Sequence, residues 1–525
     1  MGDEVTTSNG IMFLLLLLIS SLVGGNYLRS RPSCWVQPSG LATFLGIVFG
    51  AFFIMIGEFS SFKPVTQLNA DFLFLFLLPP IIFESGYNME THAFFKQFGS
   101  SLAFAFLGTF ISAIIIGTIV FVLGVIGATY SLSLAESFIF GSLISSTDTV
   151  SVLAIMKDLG MDASIYNVIF GESIFNDAVT IVLYQTILRV NKSDMSWKIF
   201  FEAVGQFFLI FIGSFLIGSI VAMLVSYILR RINNKNRINL EASAVIFGPW
   251  IAYLLSEALN LSGIVSILFC GIIMARYTQP NLSEITRAVV GRAYSAVSEA
   301  FETLVFIFIG MGLFSFKIPY ESLDPALCII IIILIPASRG AQIMACSKLI
   351  NPWRTHPIGS NEQVVMWFSG LRGGIAFALA IQTLDEFING DIILTLTLIY
   401  SLLSILIGGT LIKPLIKRTG LDSARSPFDK DSESQTGKIT CCNSGKQMLL
   451  YLDEKYLYPF LVREKDQSGY MSPHFTSPRG SDISGIQLPK LVPNGVNGTR
   501  DLEAQAIDTM MACKGEDSCI GLQQI

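Results

Sequence analysis

Glu84, Asp148, Glu172, Asp177, Glu302, Arg339 and Arg372 fall inside long apolar stretches, whereas most other acidic and basic residues of the chain lie in polar links or near the C-terminus. An ionisable side chain at bilayer depth costs roughly 2.5–3.5 kcal/mol even on lenient insertion scales, so each needs a partner or a task. The segment Gly171-Glu172-Ser173-Ile174-Phe175-Asn176-Asp177-Ala178-Val179-Thr180 is the most telling. At helical spacing Ser173, Asn176, Asp177 and Thr180 share one polar stripe. They offer a carboxylate, an amide carbonyl and hydroxyls, which are hard oxygen donors suited to Na⁺, K⁺ or a proton and poor for soft metals. A carboxylate that holds either a proton or a cation, never both, is the minimum device for exchanging one for the other. Two further segments break the helical pattern: Ser145-Ser146-Thr147-Asp148-Thr149, and Ser369-Gly370-Leu371-Arg372-Gly373-Gly374. Polar and glycine-rich runs at membrane depth are tolerated where protein or a water-filled cavity surrounds them. Each residue also has a purely structural reading: a charge pair locking two helices, or glycines allowing close helix packing.

The elements that must carry these residues are membrane helices. Of 525 residues, 52% are hydrophobic and 14% charged, with 41 Phe and a mean hydropathy of +0.62. Soluble domains carry roughly 25% charged residues, so this chain has too little charge to coat one. Its hydrophobicity also excludes disorder over most of its length. Apolar runs give about thirteen spans of up to roughly 20 residues each, near 11–23, 41–57, 71–85, 100–126, 135–156, 166–188, 203–229, 242–257, 261–276, 300–316, 326–349, 362–382 and 391–412. With the C-terminus cytoplasmic, the opposite links hold Lys63, Arg189, Lys192, Lys198 and Lys317, and the cytoplasmic links hold the larger share of Lys and Arg. Thirteen spans then satisfy the positive-inside rule and leave the acidic N-terminus outside. The first span resembles a signal-peptide core, but Asp3 and Glu4 precede it where a signal peptide is basic. If spans 1–6 and 8–13 are two inverted repeats, the broken spans five and twelve correspond, and matched broken helices mark a transport site near the midplane. Their dipole ends could be offset by Asp148 at an N-terminus and Arg372 at a C-terminus.

The net charge of −5 gives no basic surface for nucleic acid. The eight Cys and three His show no zinc spacing, and no cofactor is implied. Asn191-Lys192-Ser193, in an outer link, is a glycosylation candidate at Asn191.

Leu77-Leu78-Pro79-Pro80-Ile81-Ile82-Phe83-Glu84-Ser85-Gly86-Tyr87, Phe140-Gly141-Ser142-Leu143-Ile144-Ser145, the Gly171 to Val179 segment, Phe301-Glu302-Thr303-Leu304-Val305-Phe306-Ile307-Phe308-Ile309-Gly310, Ser338-Arg339-Gly340 and Phe368-Ser369-Gly370-Leu371-Arg372-Gly373 occur in that order. Together they resemble the sodium/proton exchanger family of the monovalent cation/proton antiporters. Phe83 to Tyr87 and Tyr277 to Ser283 look most like its Golgi and endosomal branch. The resemblance implies an all-α polytopic fold of 13 helices with two crossing broken helices, a homodimer, and elevator-like alternating access. It implies Asp177 as the ion-carrying carboxylate, Asn176 as its amide neighbour, Thr147, Asp148 and Ser173 as further site residues, and a Glu172–Arg339 ion pair that stabilises the core. Glu302 and Arg372 match functionally sensitive positions. Thr149 departs from the family's usual proline and Phe175 from its leucine.

The expectation is therefore a secondary antiporter, not an enzyme. Na⁺ or K⁺ (Li⁺ as an alternative) exchanges for H⁺ at Asp177, one for one and electroneutrally because Asn176 replaces a second acid. It would set luminal or cytoplasmic pH and cation content from a Golgi or endosomal membrane, with the plasma membrane as the alternative. Na⁺ against K⁺ is not legible in the residue types. A channel would not need a lone acid beside an amide; an intramembrane aspartyl protease could use Asp148 and Asp177, but the chain has no Gly-Xaa-Gly-Asp motif. The transmembrane domain is expected over 1–415 and a largely disordered cytoplasmic tail over 416–525. Within the tail an amphipathic stretch near 447–463 lies on the membrane, covers the dimer interface or packs on the cytoplasmic face. Cys441-Cys442, Ser472 and Ser477 are candidate modification sites.

Overall fold

The computed structural model describes residues 2–29, 36–56, 70–89, 91–190, 197–231, 238–316, 324–354, 357–421 and 453–462. Asn191, Cys441, Cys442, Ser472, Ser477 and most of the 416–525 tail lie outside these residues.

The described chain is almost entirely helical. Helices α1 (Gly2–Arg29), α2 (Pro38–Ile56), α3 (Ala70–Tyr87) and α4 (Thr91–Ile126) are followed by a broken passage, α5a (Leu134–Ser145) and α5b (Val150–Asp158), and by α6 (Ala163–Val190). Then come α7 (Trp197–Arg231), α8 (Ile238–Ala258), α9 (Gly263–Asn281), α10 (Glu284–Ser315) and α11 (Pro325–Ile350). A second broken passage, α12a (Ser360–Phe368) and α12b (Gly374–Glu386), precedes α13 (Gly390–Thr419). Ten of these helices are long and apolar enough to cross a bilayer. The other three passages are α5 and α12, each interrupted, and α6, which is long enough but carries the polar stripe. Each of the thirteen expected spans overlaps one of these elements.

Local chemistry explains the boundaries. Ser133 and Glu136 form a capping box that starts α5a: Ser133 Oγ accepts from the Glu136 N–H (3.2 Å), and Glu136 Oε2 accepts from the Ser133 N–H (2.8 Å). Pro79 and Pro80 remove two helical N–H donors from α3, and the wider turn Leu73–Leu77 lies just ahead of them. Helix α10 starts well before the expected residue 300, because Ser283 caps it by accepting from the Thr286 N–H. Its 32 residues span about 48 Å at the helical rise, more than the roughly 30 Å apolar layer. Its first half, Glu284 to Glu299, is accordingly polar on one side.

Helix packing brings the site together. In α2 and α10, Gly46 and Gly310 let the backbones touch: a β-carbon at Gly310 would lie 2.2 Å from the Thr43 carbonyl oxygen. Phe175 of α6 meets Phe94 and Phe98 of α4 and Phe269 of α9 at ring-centroid distances of 5.6–5.8 Å. This fixes α6 between its neighbours with the polar stripe turned toward the broken helices. Those helices cross antiparallel, and the Asp148 N–H donates to the Leu371 carbonyl at 2.8 Å.

Of the tail, Asp453–Leu457 and Tyr458–Leu461 form about two helical turns. They pack on the ends of α7 and α9 near Tyr227 and Tyr277 rather than standing free.

Candidate functional site at the helix crossing

Asn176 is the knot of the crossing. Its Nδ2 donates to the Ser145 carbonyl and to Thr147 Oγ1, both at 3.1 Å, while its Oδ1 accepts from Thr109 (2.9 Å) and Thr180 (3.2 Å). The amide is fully buried and every polar atom is used. It holds the unwound strand of α5 to α6 and α4, and it is neutral at any pH. Ser173 adds a second tie, donating to the Thr147 carbonyl at 2.8 Å.

Asp177, one residue on along the same polar stripe, lines a cavity of about 100 Å³. Its partner among the described residues is the Ser146 hydroxyl, which donates to Oδ1 at 2.6 Å. Asp148, Ser173, Thr149 and Glu302 line the same cavity, with apolar walls from α3, α9 and α10. That volume exceeds the roughly 10–15 Å³ needed for one water. A small hydrated or partly dehydrated cation therefore fits beside the carboxylate.

The backbone dipoles at the crossing are both met by side chains. Asp148 sits against Gly373, the N-cap of α12b: a β-carbon there would come within 2.0 Å of Asp148 Oδ2. A carboxylate at a helix N-terminus offsets the exposed N–H charge. Arg372 is fully buried and donates from Nη1 to the carbonyls of Ser145 (3.1 Å) and Ser146 (2.8 Å), the orphan acceptors at the end of α5a. Thus each break in one helix is neutralised by a charge carried on the break of the other.

Glu172 points away from this cavity. Arg339 of α11 grips it with both terminal nitrogens, Nη1 to Oε1 and Nη2 to Oε2 (3.1 Å), and Gln342 Nε2 donates to Oε1 at 3.1 Å. Arg339 and Glu172 are both buried. Glu302 of α10 reaches the cavity from across it and accepts from Ser298 at 3.4 Å. Glu84 lies apart, accepting from Asn88 (3.0 Å) and Ser295 (2.9 Å).

All nine expected site and supporting residues among the described chain therefore gather at or directly around one crossing. Asp148, Ser173, Asp177 and Glu302 line the cavity. Asn176, Thr147 and Arg372 build its frame, and Glu172 and Arg339 brace α6 behind it. Sequence reading missed Ser146, Thr109 and Gln342. Ser146 stood in the polar run, but an unwound strand has no period by which to tell its facing residues. Thr109 and Gln342 are single polar residues on otherwise apolar helices, with nothing in the spacing to mark them.

The model of the family described as sodium/hydrogen exchanger, transmembrane, matches residues 14–418. The chain belongs to the sodium/hydrogen exchanger family. It is accordingly a cation/proton antiporter. Similar proteins include sodium/hydrogen exchanger 5 of Arabidopsis thaliana, 33% identical over 90% of this chain and 94% of that protein. Sodium/hydrogen exchanger 8 of Gallus gallus is 35% identical, covering 89% and 86% of the two chains, and that of Homo sapiens is 34% identical, covering 90% and 84%. The solved sodium proton antiporter MjNhaP1 of Methanocaldococcus jannaschii shares the fold at 16% identity. Its TM-score is 0.56, with 79% of this chain and 98% of that chain covered. In this exchanger the family match spans every element of the crossing and ends with α13.

Proposed function

We propose that this exchanger moves Na⁺ or K⁺ against H⁺, one for one and electroneutrally, by alternating occupancy of Asp177. The observation that carries the reading is the isolation of that carboxylate. It lies in the cavity at the helix crossing with one hydroxyl as partner, while Glu172 is met by Arg339, Asp148 by the α12b N-terminus and Arg372 by the α5a carbonyls, and Glu302 stands across the cavity with Ser298 as its donor. Asn176 beside it has every hydrogen bond made and carries no charge.

A proton on Asp177 and a cation beside it are mutually exclusive. Loss of the proton creates the negative charge that draws the cation, and the cation's departure lets the proton return. Asp148, Ser146 and Ser173 supply hard oxygens around the same space, the donor class an alkali cation takes. Transport then consists of exposing this one site to each side of the membrane in turn. The similarity to exchanger 8 and to the organellar motifs supports a Golgi or endosomal membrane, with control of luminal pH and cation content, and a homodimeric assembly in the bilayer.

The test is proton flux in proteoliposomes under Na⁺, K⁺ or Li⁺ gradients, comparing the native protein with Asp177→Asn. The variant is expected to fold and to lose exchange for every cation. Sodium-driven proton flux near the native rate in Asp177→Asn would defeat the assignment.

A further inference from the structure

Thr149 is a buried hydroxyl with nothing to do. Residue Thr149 lines the Asp177 cavity and is 1% exposed, and its Oγ1 is buried with no hydrogen-bond partner among the described residues. The residue is the N-cap of α5b, where threonine ordinarily turns its hydroxyl onto a first-turn N–H. Here it makes no such bond, and Asp148 Oδ1 takes the Val150 N–H instead, at 3.2 Å. The neighbouring hydroxyls are all engaged: Ser146 with Asp177, Thr147 with Asn176, and Ser173 with the Thr147 carbonyl. A buried hydroxyl left unsatisfied costs about 1–3 kcal/mol, so the position is unfavourable unless something in the cavity uses the oxygen.

We infer that the Thr149 hydroxyl is a ligand for the transported alkali cation, directly or through one of the cation's waters, and so helps set which cation the exchanger prefers. A hydroxyl is a neutral hard oxygen: it donates a lone pair to a cation without adding charge to the exchange cycle. It also holds no proton that competes with the one on Asp177. Its contribution therefore falls on cation affinity and selectivity and leaves the proton side alone. Asp148 and Asp177 supply charge in the same cavity, and Thr149 tunes the size and number of the oxygens around the ion. The inference rests on the proposal that the cation occupies the Asp177 cavity.

The experiment uses the full chain in proteoliposomes, measuring pH-gradient-driven uptake of Na⁺, K⁺ and Li⁺ for the native protein, Thr149→Ser, Thr149→Val and Asp177→Asn. Thr149→Val keeps the shape and removes the hydroxyl. It is expected to raise the apparent KM for the preferred cation by about tenfold, to alter the ratio of KM values among the three ions, and to leave the maximal rate at saturating cation near native. Thr149→Ser keeps the hydroxyl and is expected within about twofold of native, well inside the effect of one lost hydrogen bond. Thr149→Ala carries the same expectation as the valine variant if that protein cannot be recovered folded. Native KM values and ion ratios in the variant lacking the hydroxyl would overturn the inference, as would equal impairment of the serine and valine variants, which would mark Thr149 as a packing residue. Asp177→Asn separates the two proposals. If it retains exchange, the location of the cation site fails; if it is inactive while Thr149→Val is native-like, the role of Thr149 alone fails.

Discussion

Glu172 sits in a layer that solvent does not reach, and Arg339 and Gln342 together supply three hydrogen bonds to its two oxygens. Removing one member of a buried pair strands the other, which costs about 3–5 kcal/mol, whereas replacing both with apolar residues is often close to neutral. Arg339→Ala is therefore expected to lower the thermal unfolding temperature of the detergent-solubilised protein sharply. Arg339→Met combined with Glu172→Leu should recover a large part of that loss. A single variant as stable as the native protein would remove the bracing role. The residue scale is also where the sequence was most legible. Asp177, Asn176 and Ser173 lie on a regular helix, so their spacing of three and four is enough to predict a shared face. Ser146 and Thr149 occupy an unwound strand whose direction depends on α12, more than 200 positions away in the chain. No local pattern carries that information.

The broken helices form one element split between two passages. The Asp148 carboxylate lies so close to Gly373 that a β-carbon there would meet its Oδ2, Cγ and Cβ at 2.0–2.7 Å. Rotating the carboxylate alone cannot clear Cβ, so Gly373→Ala must push the two strands apart. Exchange activity is expected to fall by at least about tenfold through a displacement of order 1 Å, with the protein still folded by size-exclusion chromatography; native flux would show that the crossing tolerates separation. Gly310→Ala tests a contact remote from the site. Its β-carbon would fall 2.2 Å from the Thr43 carbonyl, a backbone atom that cannot rotate away, and overpacking of this kind costs about 1–3 kcal/mol. A lowered unfolding temperature is the expected reading. The breaks themselves were legible as polar and glycine runs inside apolar spans. Their mutual capping was less so: the two dipole ends and the two charges could be matched in type from sequence, but which end meets which charge follows only from the antiparallel crossing. The early start of α10 was missed because its first half is too polar to read as a span. That polarity belongs to a helix longer than the bilayer is thick.

At the scale of the whole molecule, the large exposed apolar side chains lie along α1, α7, α8 and α11, where Phe208, Leu209, Phe247 and Ile333 are more than half exposed. Lipid is the solvent such surfaces require, and the composition alone foretold it. From sequence, residues 453–462 could be placed on the membrane, at the dimer interface or on the cytoplasmic face, because their docking surface is assembled from two helices far apart in the chain, α7 and α9. Arg276 pairs with Asp453 at 3.1 Å and lies over the Tyr458 ring at 5.1 Å, while the Tyr277 hydroxyl donates to the same carboxylate. Phe460 stacks on Tyr227 at 5.5 Å, and Asn281 Nδ2 donates to the Leu461 carbonyl at 2.8 Å. Asp453 is thus held by two side chains of α9 at once. Its loss leaves a buried tyrosine hydroxyl and a guanidinium without this acceptor, and one lost charged hydrogen bond is worth about 1.5–3 kcal/mol. Cleavage of a transiently opened segment follows the population of the open form when closing is fast. Asp453→Ala is therefore expected to speed limited proteolysis within residues 453–462 by about tenfold or more, with the unfolding temperature of the helical bundle unchanged. Equal cleavage rates in native and variant protein would mean that the aromatic stacking alone holds the segment, and Phe460→Ala would then be the change that releases it.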